Sequence, residues 1–557
     1  MNKKTLSPTF SVTPQIAAAD VPALAAEGFR SVICNRPDGE RADQPNHAEI
    51  AAACAEKGMQ LAYLPVESGK VGDADVRSFA DTIDTLQKPV IGYCRSGTRS
   101  ATLWALDESR RGTPVPGILA AAKQAGFDLN GAVRRMTNGG KIPLSGDEVR
   151  HEVVIVGAGA AGIAVAASLK ARQPDLDIAI IDPADIHYYQ PGWTMVGGGI
   201  FSAQATARTM GSLIPPGVRW IKAAVAAFEP DQKAVVLEGC RIVKYGRLVV
   251  APGLKLNWAA IEGLTDTLGR NGVTSNYRYD LAPYTWELVQ SLRRGRALFT
   301  QPPMPIKCAG APQKAMYLSA DHWRRQGVLK DIDIEFDNAG AVLFGVKEFV
   351  PALMEYIERY GVDLRFQHTL TRIDGPGRRA WFSKTGPDGG KSEVEAAFDM
   401  IHVVPPQVAP DFLRVSPLAD AAGWVDVDQH TLRHKTADGV YGLGDACNAP
   451  NAKTAAAARK QAPIVAHNLL KDLQGGKQAD AVYDGYGSCP LTVERGKIVL
   501  AEFGYGGKLL PSFPAWMLDG TKPSRLAWTL KERMLPPLYW KAMLRGREWM
   551  AKPEMAG

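Results

Sequence analysis

The sequence predicts an α/β protein in which a small N-terminal α/β domain precedes a larger region of two Rossmann-like, dinucleotide-binding-type domains. Two observations support this. Along the first 137 residues, strand patterns such as Ser31–Cys34 alternate with helix patterns such as Asp73–Thr85, as is typical of a parallel sheet covered by helices. A glycine-rich segment, Val153–Gly162, then follows a strand pattern and opens a helix, the context in which such glycines bind a nucleotide.

The composition is that of an ordinary globular protein. Of 557 residues, 46% are hydrophobic and 22% are charged, and the formal net charge is +7. This length is sufficient for three or more domains, and the modest charge gives no reason to expect a nucleic-acid partner. The seven cysteines are widely spaced and odd in number, which favours neither a disulfide framework nor a metal site. We therefore expect no metal, and redox or nucleophilic roles for any functional cysteine.

Three glycines of the Val153–Gly162 segment predict how a dinucleotide would be held. Gly157 allows the tight turn after the strand, Gly159 lets a pyrophosphate approach the backbone, and Gly162 lets the helix pack closely on the sheet. The helix N-terminus then offers free N–H groups to the pyrophosphate. The next strand pattern ends in Asp182, where a carboxylate is placed to accept hydrogen bonds from a ribose hydroxyl.

A second motif, Tyr441–Asp445, lies far along the chain. Its Gly444 and Asp445 are predicted to meet the ribityl chain of a flavin. The helical pattern that follows would direct the positive end of its dipole at the flavin ring, and Lys453 at its start is a further predicted cofactor contact. Together the two motifs predict FAD in a discontinuous domain.

The intervening segment lacks a nicotinamide fingerprint. Its strand patterns Ala297–Thr300 and Ile332–Phe336 are followed by Gln301–Pro305 and Asp337–Ala341, neither of which can form a GxGxxG turn. We therefore do not expect NAD(P)H as the electron partner. The predicted division is an N-terminal domain at 1–137, a linker at 138–150, an FAD-binding domain at 151–285 and 406–475, a second Rossmann-like domain at 286–405, and a C-terminal region at 476–557.

The end of the chain combines basic, aromatic and aliphatic residues at helical spacing, and from Thr521 onward Lys and Arg outnumber Asp and Glu. This pattern fits an amphipathic helix in a membrane interface beside anionic lipid. The alternative is a helix that packs on its own domain and leaves a basic face in water. No stretch reads as a membrane span, and no hydrophobic signal segment follows Met1–Lys4. We expect a peripheral, monotopic protein on the cytoplasmic side of a bacterial inner membrane.

The loop Cys94–Arg99 lies between a buried strand pattern and a helix pattern. Successive backbone N–H groups can point at the Cys94 sulfur, and the helix N-terminus with the guanidiniums of Arg95 and Arg99 would favour its thiolate. Such a cradle suits an anionic nucleophile or a bound oxyanion. The loop resembles the active-site loop of rhodaneses, which has the same Cys-Arg-x-Gly-x-Arg pattern and carries a persulfide on its cysteine.

The domain around this loop, including Asn35–Glu40, resembles the phosphatase-fold sulfurtransferases found fused to sulfide-metabolising enzymes. The resemblance implies sulfur transfer at Cys94. A phosphatase activity and an inactive structural loop stay open, although cysteine phosphatases have one more residue between their cysteine and arginine.

Two further cysteines lie in informative surroundings. Cys308 occupies a loop-to-helix junction between Lys307 and Lys314, and Cys447 closely follows the Gly444–Asp445 pair. If Cys308 reaches the opposite side of the ring, the two can bridge through sulfur over the flavin. A buried, inert cysteine is the alternative at Cys308.

Several longer motifs resemble the mitochondrial-type sulfide:quinone oxidoreductases over about residues 151–550. One departure is visible: in the animal enzymes the second redox cysteine directly follows the Gly-Asp pair, a position held here by Ala446, with Cys447 one residue later. Gln190, in the first motif, is a predicted cofactor contact. The motifs are His187–Thr194, Lys307–Lys314, Phe344–Lys347, Ala421–Asp428, Lys453–Ala457 and Tyr483–Leu491.

This resemblance implies that hydrosulfide attacks a Cys308–Cys447 disulfide or trisulfide, leaving a persulfide on one cysteine, and that FAD passes two electrons to a ubiquinone-like quinone near the membrane. The sulfur would go to a low-molecular-weight thiol or sulfite, and Cys94 would be a further carrier of it. A homodimer is left open. Two other hypotheses stay open as well: an NAD(P)H-driven flavin persulfide or disulfide reductase, and an N-terminal domain that serves only as a docking or persulfide-sensing module.

Overall fold

The computed structural model describes residues 2–41, 44–143, 148–476 and 481–555. Residues 144–147 of the predicted linker lie outside this description. The chain divides into two compact units. The first comprises Met1–Arg150, Ala223–Tyr245 and Asp411–Gly423, and the second comprises His151–Lys222, Gly246–Pro410 and Trp424–Gly557.

The first unit is built on a five-stranded sheet with the spatial order Lys4–Ser7, Phe10–Thr13, Val90–Tyr93, Ser31–Cys34 and Gln60–Tyr63. The last four strands are parallel, and the first is an antiparallel edge. Strand Val90–Tyr93 lies in the middle of the sheet and leads directly into Cys94. The helices are Val21–Ala26, His47–Glu56, Asp73–Thr85, Thr98–Arg110, Val115–Gln124, Val133–Thr137 and Asp411–Arg414.

Both faces of this sheet are buried, because adjacent residues of one strand enter different cores. Val32 packs with Leu24 and Ile50 on one face, whereas Ile33 packs with Phe79 on the other. The antiparallel strands Val225–Glu229 and Ala234–Leu237 also belong to this unit. Residues 223–245 and 411–423 group with the first unit by their contacts, and their apolar residues Ala227, Val236 and Val415 join its core. From the sequence they were assigned to the flavin domain, and that division stays a prediction.

The second unit contains the glycine-rich motif. Strands Val218–Ile221, Ile178–Ile181 and Glu148–Val156 lie side by side in parallel, and the end of Ile242–Val250 pairs in parallel with Val440–Gly442. Helix Ala160–Arg172 packs against helix Ala455–Leu473. This packing brings the two predicted flavin motifs into one domain, although they are far apart in the chain.

A second sheet in this unit is entirely parallel, with the order Val273–Thr274, Met400–His402, Gly295–Gln301, Ile332–Asn338 and Asp363–Phe366. Its edge strand precedes the boundary predicted at residue 286. A three-stranded antiparallel sheet consists of His368–Asp374, Arg379–Thr385 and Lys391–Ala397. Further helices of this unit are Trp193–Gly197, Leu264–Thr267, Leu281–Ser291, Ala311–Arg325 and Val350–Tyr360. Two short strand pairs join Ile186–Tyr188 to Ala207–Thr209 and Lys255–Leu256 to Gln407–Val408.

The C-terminal part of the second unit begins with a pair, Ala481–Val482 with Glu554–Met555, and a hairpin, Gly487–Glu494 with Lys497–Phe503. The hairpin packs on helix Ala311–Arg325. Helix Arg525–Thr529 continues through a π-helical turn into Leu535–Lys541.

From the sequence, this C-terminal segment was either a helix in a membrane interface or a helix packed on its own domain. The structure has features of both. Trp528, Tyr539 and Leu544 are buried within the unit, whereas Met534 is 49% exposed and Trp549 is 59% exposed. Within the described residues, no helix combines the length and the apolar composition that a membrane crossing requires.

Candidate active site

The glycine-rich turn has the geometry that its sequence predicts. Gly157 has φ +98°, and a Cβ there would lie 2.4 Å from the carbonyl oxygen of Ala251. At Gly162, a Cβ would lie 1.9 Å from the carbonyl oxygen of Gly157. Any side chain at either position would therefore force the strand, turn and helix apart.

Gly159 differs from its two neighbours, because a Cβ built on it meets no atom within 4 Å. This open space lies at the N-cap of helix Ala160–Arg172, where unpaired N–H groups favour an anion. The carboxylate of Asp182 reaches the same turn and accepts a hydrogen bond from the Ala158 N–H at 2.7 Å. These features fit a flavin dinucleotide whose pyrophosphate sits against a bare backbone.

The Gly444–Asp445 motif follows strand Val440–Gly442. Gly444 has φ +70° and donates its N–H to the side-chain oxygen of Gln461 at 2.8 Å. Lys453 donates to the carbonyl oxygens of Asp445 and Cys447, each at 2.8 Å. Burial raises the pKa of Asp445, although the positive charge of Lys453 opposes this. The motif is therefore held in place by Lys453 and Gln461, which follow it in the chain.

A backbone link joins this motif to the loop that carries Cys308. The N–H of Cys308 donates to the carbonyl oxygen of Lys453 at 2.8 Å. The ammonium group of Lys307 donates to the side-chain oxygen of Gln190, and burial lowers the pKa of this lysine. Predicted cofactor contacts from three separate motifs, Gln190, Asp445 and Lys453, thus lie around the Cys308 loop.

Cys308 faces a second thiol and an ammonium group. Its Sγ lies 3.5 Å from Sγ of Cys489 and 3.0 Å from Nζ of Lys314. Cys308 is half-buried and Cys489 is buried. Cys489 lies in the first strand of the hairpin Gly487–Glu494, and Lys314 lies in the first turn of helix Ala311–Arg325.

The close approach of loop and hairpin depends on Gly310. A Cβ at this position would lie 2.3 Å from Cδ2 of Leu491 and 2.6 Å from Sγ of Cys489. Cys308 itself has φ +50°, a conformation that is uncommon for a residue with a side chain. The local backbone is therefore shaped to bring one thiol against the other.

The electrostatics of this cluster favour a thiolate on Cys308. A hydrogen bond from Cys489 holds the pKa of Cys308 well below its ordinary value, and the charge of Lys314 adds to this against the opposing effect of burial. The pKa of Cys489 is raised because it keeps the shared proton and because it is buried. Lys531, also buried, donates to the carbonyl oxygen of Pro490 at 3.2 Å. Burial and the charge of Lys314 lower its pKa to about 7.

Cys447, the second predicted redox cysteine, is buried directly after Ala446. Its Sγ donates to the carbonyl oxygen of Gly444 at 3.4 Å, and burial raises its pKa. The thiol that lies beside Cys308 is that of Cys489, and the predicted Cys308–Cys447 pairing stays a prediction. Ala446 holds the place directly after Asp445, and Cys447 follows in extended conformation, with φ −95° and ψ 162°.

Sequence reasoning missed two residues of this cluster. Cys489 lies inside the Tyr483–Leu491 motif, but its distance along the chain from Cys308 gave no reason to pair them. Lys531 was counted only as a basic residue of an amphipathic segment. Its sequence neighbours Glu532 and Arg533 are also charged, so nothing local distinguished it from a solvated lysine.

A separate candidate site lies in the first unit at Cys94. Cys94 is 1% exposed and directly follows the central strand Val90–Tyr93. The N–H of Gly97, which has φ +90°, donates to its Sγ at 3.2 Å. Helix Thr98–Arg110 starts directly after this turn, so the cradle of N–H groups that the sequence predicts begins to form around the sulfur.

The two arginines of this loop have different surroundings. Arg99 is 8% exposed and donates both terminal nitrogens to Glu40, at 2.9 and 3.0 Å, and one of them to the Val66 carbonyl oxygen at 2.8 Å. Burial opposes a rise in the pKa of Arg99, but Glu40 and the Cys94 sulfur together raise it. Arg95 is exposed. The structure therefore supports a place beside the sulfur for Arg99, whereas the predicted role of Arg95 stays a prediction.

Glu40 is a member of this site that the sequence analysis did not single out. It also accepts a hydrogen bond from Nε of buried Arg36 at 2.7 Å. Arg36 in turn donates to the side-chain oxygen of Gln15 at 2.9 Å. The loop Asn35–Glu40 thereby fixes the guanidinium of Arg99 in one orientation.

Residues 2–110 match the family described as beta-lactamase hydrolase-like protein, phosphatase-like domain. A beta-lactamase hydrolase-like protein of Agrobacterium fabrum is 36% identical over 125 residues, which are 22% of this chain and 29% of that protein. The first domain is thus similar to one part of that larger protein.

Residues 151–287 match the pyridine nucleotide-disulphide oxidoreductase family, whose members hold a flavin-type cofactor. The solved structure of the sulfide:quinone oxidoreductase from Aquifex aeolicus covers 73% of this chain with 97% of its own, at a TM-score of 0.61 and 18% identity, which supports the fold. The mitochondrial sulfide:quinone oxidoreductase of Dictyostelium discoideum is 42% identical over 404 residues, covering 72% of this chain and 87% of that protein. The mouse protein of the same name is 38% identical, covering 71% and 87%. This chain belongs to the sulfide:quinone oxidoreductase family.

Proposed function

We propose that this protein oxidises sulfide to a protein-bound persulfide and transfers two electrons through FAD to a quinone. The observation that carries the proposal is the Cys308 thiol, 3.0 Å from Lys314 and 3.5 Å from a second thiol, in a unit with a dinucleotide-binding turn. A half-buried thiolate beside an ammonium group is suited to sulfur exchange. Family membership makes sulfide and a quinone the substrates to test first.

FAD is the cofactor that the residues fit best. Gly157, Gly159 and Gly162 would hold its pyrophosphate, Asp182 would meet its ribose, and Gly444 and Asp445 would meet its ribityl chain. When bound, FAD accepts two electrons from the thiol pair and makes them available to the quinone. Lys453 and Gln190 would hold the ring from the Cys308 side.

The residues around Cys308 control charge at the reacting sulfur. Lys314 holds Cys308 as a thiolate after the sulfur–sulfur bond opens, and half-burial limits the access of water. Cys447 is a predicted participant from the sequence, and its role stays a prediction beside that of Cys308.

A reductase driven by NAD(P)H is the competing hypothesis, and the chain disfavours it. Strand Gly295–Gln301 runs into Pro302 and Pro303, where a nicotinamide fingerprint would need glycines. If NADH bleached the flavin without sulfide, the competing hypothesis would be favoured.

The decisive experiment is an anaerobic sulfide titration of the purified, FAD-loaded protein, followed by addition of a short-chain ubiquinone. We expect a long-wavelength charge-transfer band, flavin bleaching, and recovery of the oxidised spectrum with quinone. Cys308→Ala should abolish the bleaching, and Cys447→Ala tests the sequence prediction at that position. An unchanged spectrum in wild-type protein after excess sulfide would refute the proposed function.

Association with a membrane surface is supported by exposed apolar residues near the C-terminus. Trp516 is 86% exposed, Leu526 is 50% exposed and Met534 is 49% exposed, with Lys522 and Arg525 also exposed. Aromatic and aliphatic residues beside cations suit an interface with anionic lipid. We expect sedimentation with vesicles containing anionic lipid. Trp516→Ser should weaken it, and equal binding of this variant would contradict the role.

We further propose that Cys94 receives sulfane sulfur, either from the Cys308 site or from a thiol or sulfite that carries it. Fusion of the two activities raises the effective concentration of the intermediate. Incubation with labelled sulfide, quinone and a thiol acceptor should place label on Cys94. If Cys94 never acquires label, the first domain is a docking or sensing module instead.

A further inference from the structure

We propose that Cys489 is the second redox thiol of the sulfide site, forming the disulfide with Cys308 that sulfide opens. This inference rests on the proposed function and names a residue for it. Cys489 and Cys308 are more than a hundred residues apart, on a hairpin strand and a helix-start loop, yet their sulfurs lie only 3.5 Å apart.

The two thiols can form a bond with little movement. A disulfide has a sulfur–sulfur length of about 2.0 Å, so the sulfurs need to approach by roughly 1.5 Å. Rotation about the side-chain bonds is the motion that we propose for this approach. Gly310 keeps the segment between them free of a side chain, since a Cβ there would press on Sγ of Cys489.

The charges around the pair fit a site that releases a thiolate. Lys314 donates to Sγ of Cys308, and Lys531 is buried close enough to act on both sulfurs. Two buried lysines beside two thiols are costly unless an anion is formed there. An opened disulfide forms that anion in each turnover.

The proposed step is a thiol–disulfide exchange. HS⁻ attacks Sγ of Cys489, the Cys308–Cys489 bond breaks, a bond forms between the sulfide sulfur and Cys489, and Cys308 leaves as the thiolate beside Lys314. Cys308 is the better leaving group because its conjugate thiol is the more acidic of the two.

An acceptor thiolate then takes the outer sulfur of the Cys489 persulfide, which leaves Cys489 as a thiolate. Bond formation between the two thiolates releases two electrons. The quinone of the proposed function takes up these electrons with two protons, and the disulfide is restored. The sum converts HS⁻, a thiolate, quinone and two protons into a persulfide and a quinol.

Cys447 is less well placed for this chemistry. Its Sγ is engaged with the carbonyl oxygen of Gly444, and its charge acts on Tyr483 and Tyr505, whereas the charge of Cys489 acts on Lys314 and Lys531. The two cysteines therefore lie in different side-chain environments.

The first test is disulfide mapping of wild-type holoenzyme oxidised with quinone. After alkylation of free thiols and non-reducing digestion, we expect a peptide containing Cys308 linked to one containing Cys489, directly or through one extra sulfur. The link should persist in Cys447→Ser. A Cys308–Cys447 link, or free thiols at both Cys308 and Cys489 in oxidised protein that still reduces quinone, would overturn the inference.

The second test compares rates of sulfide-dependent flavin reduction. Cys489→Ser should retain bound FAD but lose the rate by about 100-fold or more, with no Cys308 disulfide. Cys240→Ser, a half-buried cysteine of the first unit, is the matched control and should keep the wild-type rate. Flavin content and thermal midpoint verify folding of each variant.

The outcomes separate the two levels of the proposal. If wild-type protein is not reduced by sulfide, the proposed function fails. If wild-type protein is reduced and folded Cys489→Ser is reduced at the same rate, only the assignment of Cys489 fails. Mapping of the wild-type disulfide remains decisive even if the variant does not fold.

Discussion

Nζ of Lys314 lies 3.0 Å from Sγ of Cys308, close enough to hold the sulfur as a thiolate. Replacement of the lysine by methionine removes the charge, so Lys314→Met should raise the pKa of Cys308. Iodoacetamide labelling of the reduced protein as a function of pH measures this, and the midpoint should move upward. Lys330→Met, an exposed lysine of the same unit, should leave the midpoint in place. Equal midpoints in both variants would show that Lys314 does not act on the thiol.

Lys531 predicts a pH dependence of stability. Burial lowers its pKa to about 7 from an ordinary 10.5, so between these pH values the unfolded chain binds more protons than the folded protein. Stability contributed by this residue therefore rises with pH across that window. Relative to wild type, Lys531→Met should have its most favourable Tm at pH 7 and lose that advantage toward pH 10.

The control for this measurement is Lys522→Met, because Lys522 is exposed. Its Tm difference from wild type should not change with pH. A Tm difference for Lys531→Met that is also constant from pH 7 to pH 10 would mean that Lys531 keeps its proton in the folded protein.

Alanine substitutions at two glycines of the dinucleotide turn should have two different effects, one on stability and one on FAD binding. Gly162→Ala places a methyl group 1.9 Å from a backbone oxygen, so it should destabilise the apoprotein by about 1–3 kcal/mol. Gly159→Ala meets no protein atom within 4 Å, so the apoprotein should keep its Tm but lose FAD. Flavin-to-protein ratio and apoprotein Tm distinguish the two. Full FAD binding by Gly159→Ala would argue against a pyrophosphate at this point.

Cys94→Ser should separate the two activities. Sulfide-dependent quinone reduction uses the Cys308 cluster and should be retained, whereas transfer of labelled sulfur to the first domain should be lost. The measurements are quinol formation and mass analysis of the N-terminal peptides. Loss of quinol formation in this variant would contradict the division of labour.

The two arginines of the Cys94 loop form a matched pair. The buried guanidinium of Arg99 donates two hydrogen bonds to Glu40, and the single ammonium group of a lysine cannot reproduce this geometry. Arg99→Lys should therefore reduce sulfur transfer by about 100-fold. Arg95 is exposed, and Arg95→Lys should change the rate little. Equal losses in both variants would favour the sequence prediction that both guanidiniums act on the sulfur.

Local patterns were sufficient to predict much of the fold. Strand Ser31–Cys34 and helix Asp73–Thr85 have the bounds that their patterns predict, because each depends on residues close in sequence. The turn at Gly157–Gly162 was predictable for the same reason. The membership of residues 223–245 in the first unit was not, since nothing nearby in sequence shows that Ala227 and Val236 would join the core around Phe79.

In the candidate site, too, local sequence predicted some residues and could not predict others. Cys308, Lys314 and Asp445 were identifiable from neighbouring residues. The closeness of Cys489 to Cys308 was not, because it depends on how a distant hairpin packs on helix Ala311–Arg325. The family resemblance pointed to Cys447, whose Sγ donates to the carbonyl oxygen of Gly444, and its predicted pairing with Cys308 stays a prediction.

The absence of a side chain at residue 310 has a mechanistic consequence. A methyl group there would press on Cδ2 of Leu491 and on Sγ of Cys489, so the loop and the hairpin tolerate no side chain at their point of contact. If the proposed Cys308–Cys489 disulfide opens and closes in each turnover, both forms of the pair have to fit within this same tightly packed backbone.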